Sequence, residues 1–137
     1  MKATTEELSS LIQASPMIAF LGIKIEEYDK ETQMASLTLP MRPEFERDKG
    51  TGQYHGGAIM AFADTAADFA VAYLVGGFVP TMNFRLDFLR PAVGEKLLAK
   101  AKVRKIGKTV AVVDVEIFDP FSKLVALGRG TFSAVTG

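Results

Sequence analysis

The stretch "GTGQYHGGAIMAFADTAADFA", Gly50 to Ala70, decides how the rest of this chain is read. It holds the only histidine, His55, then Gly56 and Gly57, then an apolar run that carries Asp64 and Asp68. From Ala58 to Leu74 the run is rich in alanine and apolar on nearly every helical face. That is the pattern of a helix buried all round. Its small side chains would let a sheet approach closely. A carboxylate inside such a helix must be paired, neutral or in use. "VGGFVP", residues 75–80, ends it.

Upstream, Thr4 and Glu7 have capping-box spacing, and Leu8, Leu11 and Ile12 form one apolar stripe. This predicts a short amphipathic helix ending near Pro16. Residues 18–28 and 33–40 read as two strands joined by the polar turn "EYDKETQ". In the second, Ala35, Leu37 and Leu39 alternate with Ser36 and Thr38. "RPEFERDKGTGQ" is a polar loop leading into the long helix. Downstream the period changes to two. Met82, Phe84, Leu86 and Phe88 share one strand face, as do Leu97, Ala99, Ala101 and Val103, then Ala111, Val113, Val115 and Ile117. Residues 123–134 form a last strand. The short turns "PAVGE", "KIGK" and "DPFSK" predict four antiparallel strands in a meander. One sheet wrapped round one long helix is an α+β arrangement. Its open face and edges invite self-association.

A chain of 137 residues fits a single domain, residues 1–137, with a real core. Its formal net charge is zero, which argues against a nucleic-acid partner. The absence of cysteine excludes disulfides, thiol catalysis and cysteine-metal sites. A lone histidine argues against zinc. Glu6 and Glu7 interrupt any signal-peptide core, and Asp64 and Asp68 interrupt the one long apolar run. The expectation is a cytoplasmic protein with no membrane span.

Gly56 and Gly57 stand where the loop enters the helix. Free backbone N–H groups there suit a developing oxyanion, and glycine lets a ligand come close. Paired glycines also simply make tight turns. His55 could orient the loop, bond a carbonyl, or act as acid or base. Asp64 is flanked by Phe62, Ala63, Ala66 and Ala67; Asp68 follows one turn later on the same face. Two carboxylates so spaced also fit a solvated stripe. Gly56 and Asp64 are eight residues apart, about 12 Å along a helix. That is too far for one small reacting group to touch both. If both serve one reaction, they come from two subunits of a twofold dimer.

"GQYHGGAIMAFADTA" followed by "PTMNFRLDFLRPAVGE" resembles the hotdog-fold acyl-CoA thioesterases, in particular the branch containing the phenylacetate-degradation thioesterase. The resemblance spans residues 50–134. It rests on His-Gly-Gly with an aspartate nine residues after the histidine, and on "FLRPAVG" and "LGRGTF". It implies a hotdog fold, and a homodimer or homotetramer with its site at the dimer interface. Asp64 would be general base or nucleophile, and the Gly56 N–H would polarise the thioester carbonyl. His55 would shape the loop. A serine or threonine ten residues before the "RP" proline is common in the family. Here it is Thr81, placed to hold the water or the aspartate.

One position departs from the family. Related enzymes often carry asparagine six residues before the histidine; this chain has Lys49, with Gln53 nearby to supply an amide. That departure keeps a second reading open, a non-catalytic hotdog module that binds acyl-CoA or a similar ligand. A third is a structural subunit using the fold only for association. Coenzyme A belongs to the substrate, so no separate cofactor is expected. Its phosphates call for basic residues at the entrance. Arg90, Arg104, Lys105 and Lys108 are candidates. Phe62, Met82 and Phe84 could wall the acyl group; Gly57 and Lys49 are further substrate-binding candidates.

Overall fold

The computed structural model describes residues 1–136. Helix α1 spans Thr5–Ile12, and Thr4 and Glu7 close the expected capping box at its start. Helix α2 then spans Pro16–Leu21. The strand expected over residues 18–28 gives way here to a helix as far as Leu21. Ser15 caps the helix by accepting the Ile18 N–H, Pro16 sits in the first turn, and Gly22 ends it at φ 72°. These are helix start and stop signals, and they override a β-like run of large apolar residues. Only from Lys24 does strand β1 begin, running to Asp29. It turns into β2, Met34–Pro40. A short 3₁₀ turn at Pro43–Phe45 buries Phe45 within the otherwise polar loop.

Helix α3, Gly56–Val75, is the long central helix. Strands β3 (Thr81–Phe88), β4 (Lys96–Ile106), β5 (Val110–Phe118) and β6 (Leu124–Ser133) follow. All six strands form one antiparallel sheet in the order β1-β2-β4-β5-β6-β3. Only β4, β5 and β6 meander. β3 pairs with β6, and β4 pairs with β2. The "PAVGE" segment is therefore a crossover from one side of the sheet to the other, not a hairpin. A pattern of local turns cannot reveal this, because both neighbours of the crossover are chosen by distant sequence.

The alternating sets land where the period places them. Leu97, Ala99, Ala101, Ala111, Val113 and Ile117 are fully buried against α3. Alanines on both sides let helix and sheet come close. Gly128 does the same between strands, since a Cβ there would run into the Arg85 carbonyl of β3. Length and apolarity alone would allow α3 to cross a membrane, but here the sheet wraps most of it. The burial is not complete, and this corrects the all-round reading. Met60, Ala61, Asp64, Thr65 and Asp68 form a half-buried stripe, with Gly57 exposed at its start. Their spacing of three and four residues defines one helical face.

Candidate active site

The site has two halves, at the start of α3 and near its middle. At the start, His55 is the N-cap, and its Nδ1 accepts the Gly57 N–H at 2.8 Å. That bond orients the ring, with Nδ1 turned to the helix and Nε2 turned outward. The His55 N–H in turn donates to the Phe45 carbonyl at 2.7 Å, tying the cap to the buried Phe45. The Glu46 carboxylate accepts the Gly52 N–H at 2.7 Å, and such backbone donors hold its pKa below the usual value. The loop before the helix is thus braced by its own polar groups.

The two glycines do different things. Gly57 has spent its N–H on His55, and a Cβ there would press on His55 Nδ1 at 3.0 Å. It serves the cap, so its expected contact with substrate is unsupported while that bond stands. The Gly56 N–H has no acceptor among the described residues. A Cβ on Gly56 would meet only the Phe88 ring, at 3.6 Å, an ordinary contact. Nothing inside the chain demands glycine at 56. The N–H opens beside a cleft of about 310 Å³ lined by Arg47, Gln53, Tyr54, Gly56, Phe88 and Arg90, among others.

In the middle of α3, Asp64 Oδ1 accepts the Thr81 hydroxyl at 2.7 Å. Burial raises the Asp64 pKa, and the Thr81 bond opposes part of that rise. Asp68, one turn on, accepts the Val79 N–H at 3.0 Å. Burial pushes its carboxyl up to about 7, with the Asp64 charge adding to the rise. The resulting arrangement is an elevated carboxylate held by a hydroxyl, on a helix face that the sheet leaves uncovered. A carboxylate whose affinity for protons is raised is suited to take one from water near neutral pH.

The structure sorts the remaining candidates. Gln53 and Arg90 line the cleft beside Gly56, whereas Lys49 is exposed in the preceding loop and is not part of that wall. Arg104 points to the opposite face of the sheet, where Asp114 takes it at 2.8 Å and also holds Arg129. It is therefore not at this entrance. Its parity shows why: Leu97, Ala99, Ala101 and Val103 face the helix, so the residues between them face away. Lys105 and Lys108 are exposed near the β4–β5 turn and do not line the cleft. Phe62 is fully buried core rather than an open wall. Phe84 is half-buried, edge-on to Phe132 at 6.5 Å. Met82 is the open one of the three, at 62% exposure. The sequence reading missed Phe88 as a cleft wall and Arg47 as a second cation there. The signal for Phe88 was its alternation with Leu86 on a strand that runs back along α3.

Comparison with known proteins gives the family. Residues 51–126 match the thioesterase superfamily. The acyl-coenzyme A thioesterase PaaI of Escherichia coli is 35% identical over 119 residues, covering 85% of this chain and 81% of that protein. Its solved structure superposes with a TM-score of 0.78 at 30% identity, covering 94% of this chain and 91% of that one. A phenylacetic acid degradation-related protein of Ralstonia eutropha has a TM-score of 0.78 at 27% identity, covering 91% and 97% of the two chains. With the helix-wrapping sheet, these matches place the chain in the thioesterase superfamily, as a thioester hydrolase of the hotdog fold.

Proposed function

We propose that the chain hydrolyses an acyl-CoA thioester to a free acid and coenzyme A, at a site shared by two copies. The observation that carries this reading is the Thr81–Asp64 hydrogen bond on the uncovered stripe, two turns from the open Gly56 N–H. Within one chain the two groups stand about 12 Å apart along the helix. β3 supplies a way to join them. Its Thr81 end lies by Asp64 and its Phe88 end by Gly56, so it runs antiparallel to α3. It is also an edge strand, paired only with β6. Two copies meeting edge to edge about a twofold axis bring the Thr81 end of one against the Phe88 end of the other. Asp64 of each copy then faces Gly56 of its partner, and two equivalent sites form.

In that site the thioester carbonyl accepts the Gly56 N–H. Asp64 takes a proton from water as the water oxygen bonds to the carbonyl carbon. The negative charge on the carbonyl oxygen is stabilised by the same N–H. The intermediate collapses, the C–S bond breaks, and the sulfur leaves with the proton held by Asp64. The reaction so drawn needs no cofactor. Arg47 and Arg90, beside the cleft, are suited to meet the phosphates of coenzyme A.

The test is thiol release from a panel of aromatic, branched and medium-chain acyl-CoAs. The wild type is expected to release thiol from at least one. Asp64→Asn is expected to lower kcat about 10²- to 10⁴-fold, with its circular dichroism unchanged. Full activity in the variant would remove Asp64 from the mechanism. Saturable binding without thiol release would favour the ligand-binding reading that Lys49 keeps open.

A further inference from the structure

Asp68 is the half-buried carboxyl group that the hydrolysis does not use. We propose that it is a positioning residue: by accepting the Val79 N–H it fixes the start of β3, so that the Thr81 hydroxyl stays on Asp64. This rests on Asp64 being the catalytic carboxylate.

The link between α3 and β3, residues 76–80, has few internal constraints of its own. It holds two adjacent glycines, of which Gly76 takes φ 98° to end the helix. Three backbone bonds pin it. The Gly76 N–H donates to Ala72 O at 2.8 Å, and the Pro80 carbonyl accepts the Ser133 N–H at 2.9 Å. The third is the Val79 N–H to Asp68 Oδ1 at 3.0 Å. The first ties the link to the helix end, and the second ties it to β6. Of these bonds only the third reaches the helix face that carries Asp64; Phe78 also packs edge-on against Phe69 of α3 at 5.0 Å, a contact that sets no hydrogen-bond register for Thr81. Asp64 and Asp68 are one turn apart, and Val79 and Thr81 are two residues apart, so the two bonds run side by side between α3 and the beginning of β3.

That start is an irregular part of the strand. The β3–β6 register shifts between Thr81 and Asn83, and Thr81 and Met82 are exposed. Sheet pairing alone therefore holds Thr81 less firmly than the residues after it. Without the Val79 clamp, the hydroxyl can drift from the carboxylate while the rest of the strand stays paired. Displacements of about 1 Å in a catalytic array cost up to about 10²-fold in rate.

A double-mutant cycle decides the matter, run on purified full-length protein with the acyl-CoA that wild type hydrolyses best. Asp68→Ala removes the acceptor and is expected to lower kcat about tenfold or more, with KM within about twofold. Asp68→Asn keeps an oxygen for the Val79 N–H and is expected to hold kcat within about threefold of wild type. In a Thr81→Ala background, Asp68→Ala is expected to add almost nothing, because the group it positions is gone. Independent, multiplying losses at 68 and 81 would overturn the proposal, and so would wild-type kcat in Asp68→Ala. If Asp68→Ala does not fold, Asp68→Leu removes the acceptor while filling the space, and the same cycle applies. Asp64→Asn is run alongside. If it stays active, the catalytic reading has failed; if it is inactive while Asp68→Ala is normal, only the positioning role has.

Discussion

The two halves of the site are built in opposite ways. In the proposed mechanism the working group at the start of α3 is a backbone N–H, and the absent side chain leaves room for the substrate. Much of the support there is local: His55, Gly57, Phe45 and Glu46 bond within one short loop, and the Tyr54 N–H adds one tie to the distant Ala92 carbonyl at 2.8 Å. In the middle of α3 the working group is a side chain. Its support comes from distant sequence, since Thr81 is 17 residues from Asp64 and the strand carrying it is paired with the C-terminal β6. A locally braced half should tolerate damage elsewhere in the fold. A half assembled across the fold should be sensitive to it.

The largest expected effect tests whether the halves belong to different copies. Gly56→Ala should fold normally, because its methyl meets only the Phe88 ring at ordinary distance. It should nonetheless lose about tenfold to a hundredfold in kcat/KM by crowding the carbonyl. Mixed, unfolded together and refolded, Asp64→Asn and Gly56→Ala chains should recover about a quarter of wild-type activity. Half of the randomly formed dimers are then mixed, and each mixed dimer has one intact site. No recovery, with mixed dimers demonstrated, would mean that both halves act within one chain.

A smaller effect concerns Asp68 and pH. Its folded pKa of about 7 lies above the ordinary 3.8, so the folded chain holds a proton that the unfolded chain releases. The stability from this group is full at pH below about 4 and is lost as pH rises through about 7. Asp68→Asn removes that dependence. Urea unfolding should show the variant gaining on wild type by on the order of 4 kcal/mol at pH 8, and much less at pH 4. An equal difference at both pH values would show that Asp68 titrates normally. The smallest effect belongs to the local half. His55→Ala removes one helix cap and should cost about 1 kcal/mol in the same measurement. The loss should not depend on Asp64 or Thr81.

The sequence reveals the local half better than the distant one. His55, Gly56 and Asp64 stand in one continuous run, and the buried alternation of β4 and β5 is plain in the residues themselves. β3 is legible as a strand, but its place beside β6 is not, because strand order is decided by pairing between segments far apart in the chain. Helix α2 carried its signals in Ser15, Pro16 and Gly22, and they were outweighed by the apolar run between them. Charge alone suggests the entrance for Arg104, but its position next to Val103 assigns it to the other face. The Asp68–Val79 bond has no signature in the sequence at all. It exists only because the fold returns β3 along the helix it has just left.

The sheet's two borders carry a final consequence. β1 is guarded by Lys24, Glu26, Glu27 and Asp29, charges that discourage another strand from adding to it. β3 carries Arg85 and Asp87 but leaves Met82 and Phe88 half or more exposed. An open border of that kind is adhesive in a concentrated solution. Two such borders that meet each other are both used up, and growth stops at a pair. A substitution that spoils this meeting should therefore show itself first as turbidity on concentration, before any change in the folded chain is detectable.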